Sequence, residues 1–313
     1  YANAYLCGIF NACLAAFFCG NFFEQKMLEG TGSALWVRKC SNLEILTGKS
    51  GGFLLFMLLA DLLLCSMGLF VHLFLSDSSF SFFPYLFYFV TLTFPELLFF
   101  MGLSLWLKGL SPHPGVARLL LLGLLYFFVV VGSKTPGGVL DILAESLPNA
   151  FSDVTGFSDL WSYLLQRMGF LFFGVGLLLF SLSFMKRPAN GVGSNEIPGR
   201  CGIVPLGMGL CFWILYLGGY YSELSERSSV RDIFVKYQSA GKAEVLSHDI
   251  HFSQEGDSYR ASSRMLLHNN NGKPLDTLVL YLNPGLEVSR LQVGNRDVDF
   301  HRELQVLVIH NRL

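Results

Sequence analysis

FLLFMLLADLLLCSMGLFVHLFL, residues Phe53–Leu75, is the stretch that decides how this chain folds. Its only acidic residue is Asp61, and almost all of the remaining positions carry apolar side chains. At about 1.5 Å per helical residue the stretch is long enough to cross a hydrocarbon core roughly 30 Å thick. Because hydrocarbon offers no partner to backbone N–H and C=O groups, a crossing segment must be helical. The chain is therefore predicted to work in a membrane.

Five further apolar stretches are predicted to cross as well, namely Tyr5–Phe23, Phe82–Leu103, Leu119–Val131, Phe170–Met185 and Ile203–Gly219. From about Tyr221 to Leu313 the sequence becomes polar and rich in strand patterns. We predict an α-helical polytopic membrane domain in residues 1–220, with six spans visible and one more expected before Tyr1. An all-β extracytoplasmic domain is predicted to follow in residues 221–313.

The composition agrees with a membrane protein. Hydrophobic residues make up 52% of the chain and charged residues 14%, whereas soluble domains carry about 25% charged residues. The formal net charge of −1 gives no basis for attracting nucleic acid, so none is expected as a partner. The chain opens at Tyr1 within apolar sequence and has no signal-peptide pattern there, so we interpret it as a fragment.

Basic residues in the short loops predict the orientation. They gather in three alternate loops, as Lys26, Arg38, Lys39 and Lys49, then Lys108 and Arg118, then Lys186, Arg187 and Arg200. The intervening loop 76–81 has none, and residues 134–169 hold only Lys134 and Arg167. The basic loops are therefore predicted to be cytoplasmic and residues 221–313 extracytoplasmic.

The first basic loop, residues 22–49, alternates acidic, basic and apolar residues at roughly helical spacing, as an interfacial amphipathic helix does. Two interpretations stay open, a solvated loop lying on lipid and a protein-binding loop. The loop resembles the cytoplasmic loop of type-2 ABC exporter permeases; the matching residues are Glu24, Glu29-Gly30-Thr31, Ser41-Asn42, Glu44 and Gly48-Lys49.

That resemblance implies partners and contact residues. A permease of this class pairs with a second permease half or a homodimer partner, and with a cytoplasmic ABC ATPase that hydrolyses ATP on a separate chain. The residues expected to contact the ATPase are Glu24, Met27, Leu28, Glu29, Trp36, Arg38 and Lys39. The loop lacks a full phosphate-binding motif, since Leu43 stands where the first glycine belongs, so no nucleotide site is predicted here.

The span count adds a further expectation about the outer segment 134–169. In that class a long outer segment separates the fifth and sixth spans, and this segment occupies the corresponding place if one span precedes Tyr1. It contains Pro136-Gly137-Gly138 followed by the semi-apolar pieces Val139–Leu147 and Phe157–Leu165. These pieces fit a re-entrant gate, and they fit an ordinary outer loop with two surface helices equally well.

Asp61 and Glu96 are ionisable residues inside predicted spans. Charged groups at membrane depth are costly and usually face protein or water. Both residues are candidates for a polar patch along a transport pathway or at a subunit interface. An interhelical hydrogen bond that only fixes packing explains them equally well.

The carboxy-terminal region shows strand alternation at Ala243–Phe252 and Tyr259–Leu267, then at Leu278–Leu282, Val288–Val293 and Leu304–Ile309. Asn283-Pro284-Gly285 predicts a tight turn. The stretch from about Val245 to Ile309 resembles the amino-terminal β-domain of gluzincin aminopeptidases. The resemblance rests on residues 281–288, on the strand-turn-strand before them and on residues 294–300 after them. Together the two resemblances are those of a bacterial permease/aminopeptidase fusion protein, and they imply a location in the bacterial inner membrane.

The sequence predicts no catalytic residue, metal site or cofactor in this chain. A zinc peptidase needs two His four apart on a helix, and no pair among the seven His has that spacing. Two functions follow. The chain is a membrane subunit of an ABC-type exporter with an unknown substrate, or it is a membrane anchor and scaffold for an extracytoplasmic aminopeptidase domain, without transport.

Overall fold

The computed structural model describes residues 2–19, 41–75, 82–111, 113–145, 151–152, 156–157, 159–185, 199–241, 243–256, 258–270 and 274–310. The chain divides into two compact units, Tyr1–Tyr220 and Tyr221–Leu313. The predicted ATPase-contacting residues, Glu24 through Lys39, lie outside the described part of the chain.

Seven α-helices are described. They are α1 (Ala2–Leu14), α2 (Asn42–Leu75), α3 (Phe83–Tyr88), α4 (Phe94–Leu110), α5 (Pro114–Val130), α6 (Leu160–Phe180) and α7 (Ile203–Tyr237). Two π-helical turns extend this set: Ala15–Cys19 continues α1, and Phe89–Thr93 joins α3 to α4.

Four stretches of the described helices are long and apolar enough to cross a membrane: Asn42–Phe74, Phe83–Leu110, Leu160–Phe184 and Arg200–Tyr237. Two shorter apolar helices, Asn3–Phe17 and Gly115–Val130, accompany them. The prediction of a mostly helical chain able to span a membrane is confirmed at this level. Six full-length spans are not seen among the described residues.

Helix α2 begins with a capping box. The Ser41 side chain accepts a hydrogen bond from the Glu44 N–H (3.1 Å), and the Glu44 carboxylate accepts one from the Ser41 N–H (2.7 Å). This reciprocal pair satisfies N–H groups that a helix start otherwise leaves without partners. Beyond the cap, α2 buries one stripe at helical spacing and exposes its other faces; the buried residues are Asn42, Leu46, Ser50, Phe53, Met57 and Asp61.

The centre of the first unit is the contact between α4 and α6. A Cβ placed on Gly174 would lie 2.7 Å from the Phe99 Cα, and one on Gly102 would meet the Gly174 carbonyl oxygen. Glycine at these positions lets two helix backbones touch, as small residues do at helix interfaces in membranes. Phe99, Phe100 and Phe170 pack edge-to-face around the contact.

The second unit is not all-β, because α7 continues to Tyr237 and so makes residues 221–237 helical. The strand prediction overlooked this helix, whose second half is amphipathic and charged rather than apolar. Its partly buried side chains Ile233 and Tyr237 pack against Val279, Val306 and Val308. That part of the all-β prediction is wrong.

The strands of this unit are paired antiparallel. Strands β3 (Glu244–Glu255) and β4 (Ser258–His268) form a long hairpin, and β5 (Leu278–Tyr281), β9 (Val306–Ile309) and β8 (Phe300–Glu303) form a three-stranded sheet in that order. Two-residue pairs complete the set: β6 (Gln292–Val293) with β7 (Arg296–Asp297), and, in the first unit, β1 (Phe151–Ser152) with β2 (Gly156–Phe157).

The predicted turn at Asn283-Pro284-Gly285 is present. The Leu286 N–H donates to the Asn283 carbonyl at 3.0 Å, and the Gly285 N–H donates to the Asn283 side-chain oxygen at 2.9 Å. Gly285 does not adopt positive φ, so the turn uses the proline-set φ and the Asn side chain rather than glycine's freedom.

Candidate functional site

Asp61 lies near the middle of α2 and is fully buried. One carboxyl oxygen accepts a hydrogen bond from the Asn11 side-chain amide at 2.8 Å, which joins α2 to α1. The other oxygen has no hydrogen-bond partner among the described residues. Asp61 therefore belongs to a polar contact between two apolar helices.

Glu96 stands in the first turn of α4, directly after Pro95 and the π-helical turn Phe89–Thr93. Proline has no N–H to donate, and π-helical turns inside helices often mark functional sites. Glu96 has no solvent exposure, and neither of its carboxyl oxygens has a hydrogen-bond partner in the described structure. Its carboxyl group packs against the bare backbone of Gly8 in α1.

Further polar atoms of this region lack described partners as well. They are the side-chain carbonyl oxygen of Asn11, the hydroxyl of Thr93 and Nε of Arg167. An unpaired polar group in an apolar surrounding costs about 1–3 kcal/mol. Orphaned atoms on several helices of one bundle are more than packing requires, which makes this polar interior the candidate functional site.

The segment between α5 and α6 folds back into the bundle. After two 3₁₀ turns, Gly132–Lys134 and Pro136–Gly138, residues Asp141 to Ala144 are each no more than 1% exposed. The backbone reaches this position through positive φ at Gly137, Gly138 and Ala144. We call residues 132–145 the re-entrant segment.

Side chains from two helices hold the re-entrant segment by its carbonyl groups. Arg167 of α6 donates to the Asp141 and Ile142 carbonyls, and its neighbour Gln166 donates to the Gly138 carbonyl. Tyr216 of α7 donates to the Gly137 carbonyl. Residues 139–145 form no helix or strand, and turn hydrogen bonds such as Asp141 N–H to the Gly138 carbonyl serve only part of their backbone. The side-chain donors add the partners that the segment's carbonyls otherwise lack.

Arg167 is itself 2% exposed and is supported from several sides. It also donates to the Gln166 side-chain oxygen, and its guanidinium lies 5.4 Å from the ring centroids of Tyr163 and of Phe170. Aromatic faces attract a desolvated cation, most strongly where water is excluded. Arg167 is therefore the centre of the contact that fixes the re-entrant segment.

Sequence reasoning found part of this site. It singled out Asp61 and Glu96 and named a re-entrant gate as one of two interpretations of the outer segment. It missed Asn11 and Gln166, and it counted Arg167 only as a loop charge. A signal was present: Gln166-Arg167 directly precedes an apolar run in the same helix, where a polar pair is expected to face protein rather than lipid.

The predicted piece Val139–Leu147 is described to residue 145, where it is a buried turn rather than an amphipathic helix. From Leu160 onward the second piece, Phe157–Leu165, is the start of α6 itself. Both interpretations of the outer segment assumed two short amphipathic pieces, and the described residues 139–145 and 160–165 do not form them.

Among the described residues, no three His, Cys, Asp or Glu side chains come together in a way that could hold a metal ion. The chain matches no family model, no curated protein and no solved structure. The resemblances to exporter permeases and aminopeptidase β-domains therefore stay predictions from the sequence.

Proposed function

We propose that this chain is a membrane subunit of an ABC-type exporter, moving a substrate with ATP hydrolysed on a partner chain. The observation that carries the proposal is a polar interior inside a bundle of membrane-spanning helices, closed by a re-entrant segment. That segment is held by side-chain donors such as Arg167 and Tyr216, not by secondary structure of its own. Such contacts can be exchanged for others without unfolding a helix, as a gate requires.

The resemblance of residues 22–49 to a permease loop supplies the partner part of the proposal. The ATPase is expected to contact the amphipathic segment Glu24–Lys39 on the cytoplasmic side. A second permease half, or a second copy of this chain, would complete the pathway. In the most apolar 18 residues of α2, 11% of the stretch is buried within the chain. The exposed remainder is suited to contact with such a partner or with lipid.

Co-purification tests the coupling. Affinity-purified chain from its native membranes should carry vanadate-sensitive ATPase activity. The double variant Glu29→Lys with Arg38→Glu should lose most of that activity while the chain stays in the membrane fraction. Loss of activity points to a protein contact through electrostatic complementarity. Equal activity in both preparations would show that the loop lies on lipid instead.

Thiol labelling tests the proposed location in a bacterial inner membrane. Ser247 in β3 is exposed, and native Cys201, exposed near the start of α7, is predicted to lie on the opposite side. A membrane-impermeant reagent should label Ser247→Cys in cells stripped of their outer membrane and Cys201 only after lysis. The reverse pattern would overturn the orientation and place residues 221–313 in the cytoplasm.

The alternative function, a membrane anchor and scaffold for an aminopeptidase domain, has its own supporting observation. One face of the β3–β4 hairpin carries large apolar side chains more than half exposed, among them Ile250, Phe252 and Tyr259. A two-stranded hairpin is marginal alone, and an apolar face of this kind favours a packed protein neighbour. An inserted chain without any associated ATPase would favour this second function.

A further inference from the structure

No described residue donates a hydrogen bond to the Glu96 carboxyl group. A Cβ built on Gly8 would meet the Glu96 carboxyl carbon at 2.8 Å and the Leu143 side chain at 3.0 Å. Glu96 and Leu143 therefore lie against the same bare patch of α1 backbone, and Leu143 belongs to the re-entrant segment. Neither carboxyl oxygen has a partner in the described residues.

The nearest positive charge is directed elsewhere. Among the described residues, Arg167 donates to the Asp141 and Ile142 carbonyls and to the Gln166 side chain, and not to Glu96. The titratable groups that face Glu96 or its immediate surroundings come from four parts of the fold. They are Tyr5 of α1, Asp61 of α2, Asp141 of the re-entrant segment, and Tyr163 and Arg167 of α6.

Charge balance then constrains the state of the site. Three buried carboxyl groups, those of Asp61, Glu96 and Asp141, share this unit with the buried guanidinium group of Arg167. An isolated ionised carboxylate in a low-dielectric interior costs far more than a neutral acid, so such a group takes up a proton or a cation. Glu96, with no donor at either oxygen, is the carboxyl group least able to stay ionised.

We propose that Glu96 is an intramembrane proton-binding site, and that release of its proton is coupled to movement of residues 140–144. On release, the Glu96 O–H bond breaks, the electron pair stays on the carboxylate, and the proton passes to water. The new carboxylate attracts Arg167, which must leave the Asp141 and Ile142 carbonyls to reach it. The Ile142 carbonyl then needs water and the Asp141 carbonyl keeps only the Ala144 N–H, so the segment opens.

The inference holds whether or not the chain is an exporter subunit. It assigns a ligand, the proton, and a moving part, the re-entrant segment, without invoking ATP or any partner chain. Its tests therefore use the purified chain in lipid nanodiscs, and their failure would leave the coupling experiment above unaffected.

Infrared spectroscopy tests the proton. At neutral pH the wild-type chain should show the carbonyl band of a protonated carboxyl group. Glu96→Gln should remove it, while Glu145→Gln, which changes an exposed carboxyl group of the same segment, should not. A spectrum unchanged by Glu96→Gln would overturn the proposal. A band that disappears when sodium replaces choline in the buffer would overturn it too, by assigning the site to a metal cation.

Thiol labelling tests the coupling to movement. Labelling of Ile142→Cys, a fully buried position, is compared with labelling of Glu145→Cys, an exposed one, which corrects for thiol ionisation. Below the pH at which half of Glu96 is ionised, this ratio should increase about tenfold for each unit by which the pH is raised. The reason is that the ionised fraction of Glu96 increases by the same factor. In the Glu96→Gln background the ratio should stay low at every pH.

A second variant keeps the test decisive if Glu96→Gln fails to fold. Arg167→Gln retains an amide donor for the segment and removes the cation that ionised Glu96 would attract. It should flatten the pH dependence while preserving the infrared band. A pH dependence that persists unchanged in either variant would show that the segment opens for another reason.

Discussion

The two units of this chain place their polar and apolar residues in opposite ways. In Tyr1–Tyr220 the interior holds Asp61, Glu96 and Arg167, while leucines and phenylalanines of α2 and α7 stand on the surface. In Tyr221–Leu313 the buried residues are aliphatic, such as Val306 and Val308, and the charges lie outside. The difference follows from the surrounding medium, since lipid accepts apolar side chains and rejects charges, whereas water does the reverse.

Packing is maintained by different forces in the two units as a result. Leucine gains little by leaving lipid for protein, so the first unit depends on close backbone contact and on hydrogen bonds between helices. The second unit gains from removing valine and isoleucine from water. Variants that alter backbone contact should therefore act on the first unit, and variants that remove buried methyl groups on the second.

The largest effect is expected from Gly174→Leu. The side chain would push against the Phe99 backbone and force α4 and α6 apart, at a cost of about 3 kcal/mol, the upper end for overpacking. The variant should therefore unfold at a lower temperature than the wild type in detergent. The control is Gly123→Leu in α5, where an added Cβ meets nothing within 4 Å. Equal loss in both variants would mean that leucine is harmful anywhere in the bundle.

Arg167→Met should follow, because it leaves the Ile142 carbonyl without a donor and the Asp141 carbonyl with the Ala144 N–H alone. The expected loss is about 2 kcal/mol, since an unpaired buried group costs about 1–3 kcal/mol. Protease sensitivity near the re-entrant segment should rise with it. Arg200→Met changes an exposed arginine and should have no such effect. An unaffected Arg167→Met protein would show that water already satisfies those carbonyls.

Val308→Ala tests the second unit. Removing two methyl carbons from a side chain 4% exposed should cost about 2 kcal/mol, at about 0.8 kcal/mol per carbon plus a cavity term. Limited proteolysis of residues 221–313 in the full chain reports the change. Val245→Ala on the exposed hairpin, 49% accessible, is the matched control. If Val308→Ala also made residues 1–220 more sensitive to protease, the two units would not be stabilised independently of each other.

A smaller effect is expected at Asp61. Asp61→Asn keeps an oxygen that can accept from the Asn11 amide, and single interhelical hydrogen bonds in membranes are worth only about 0.6 kcal/mol. Thermal unfolding of Asp61→Asn should therefore stay close to wild type, and Asp61→Leu should unfold earlier. If both variants behaved alike, the α1–α2 contact would depend on packing alone.

The smallest effect concerns surface pairs in the second unit. Hydrogen bonding to Lys236 lowers the pKa of Glu303, and hydrogen bonding to Arg290 and Gln292 lowers the pKa of Asp297. A lowered carboxyl pKa contributes stability that is present above the unfolded-state value and lost as pH falls through the folded-state value. In an acid titration, the stability of the second unit should depend less on pH in Lys236→Met than in the wild type. The difference should appear below pH about 4, near the ordinary pKa of a carboxyl group.

High salt gives an independent check on those exposed pairs, since it screens charges at the surface. Salt should reduce the difference between wild type and Lys236→Met in the second unit. The buried contacts of the first unit should respond much less. A salt response equal in both units would argue that the polar interior of the bundle is open to water.

Several features were predictable because they are local. The apolar length of Phe53–Leu75 requires a helix in hydrocarbon, and Asn283-Pro284-Gly285 sets a turn by its own side-chain chemistry. Ser41 and Glu44, three positions apart, form a capping box wherever a helix begins between them. Alternation in residues 259–267 gave a strand that the structure extends to Ser258–His268.

The sequence by itself determined that the chain carries helices long and apolar enough to cross a membrane, that Asp61 and Glu96 are expected to face protein, and that residues near 245–309 contain antiparallel strands. Only the tertiary structure decided which groups meet, among them Asn11 with Asp61, Arg167 with the Asp141 and Ile142 carbonyls, and Gly102 with Gly174. The physical reason is that helices in lipid are apolar on every side, so their sequence carries little periodic signal to mark the face that packs. Contacts between positions dozens of residues apart arise when the bundle assembles.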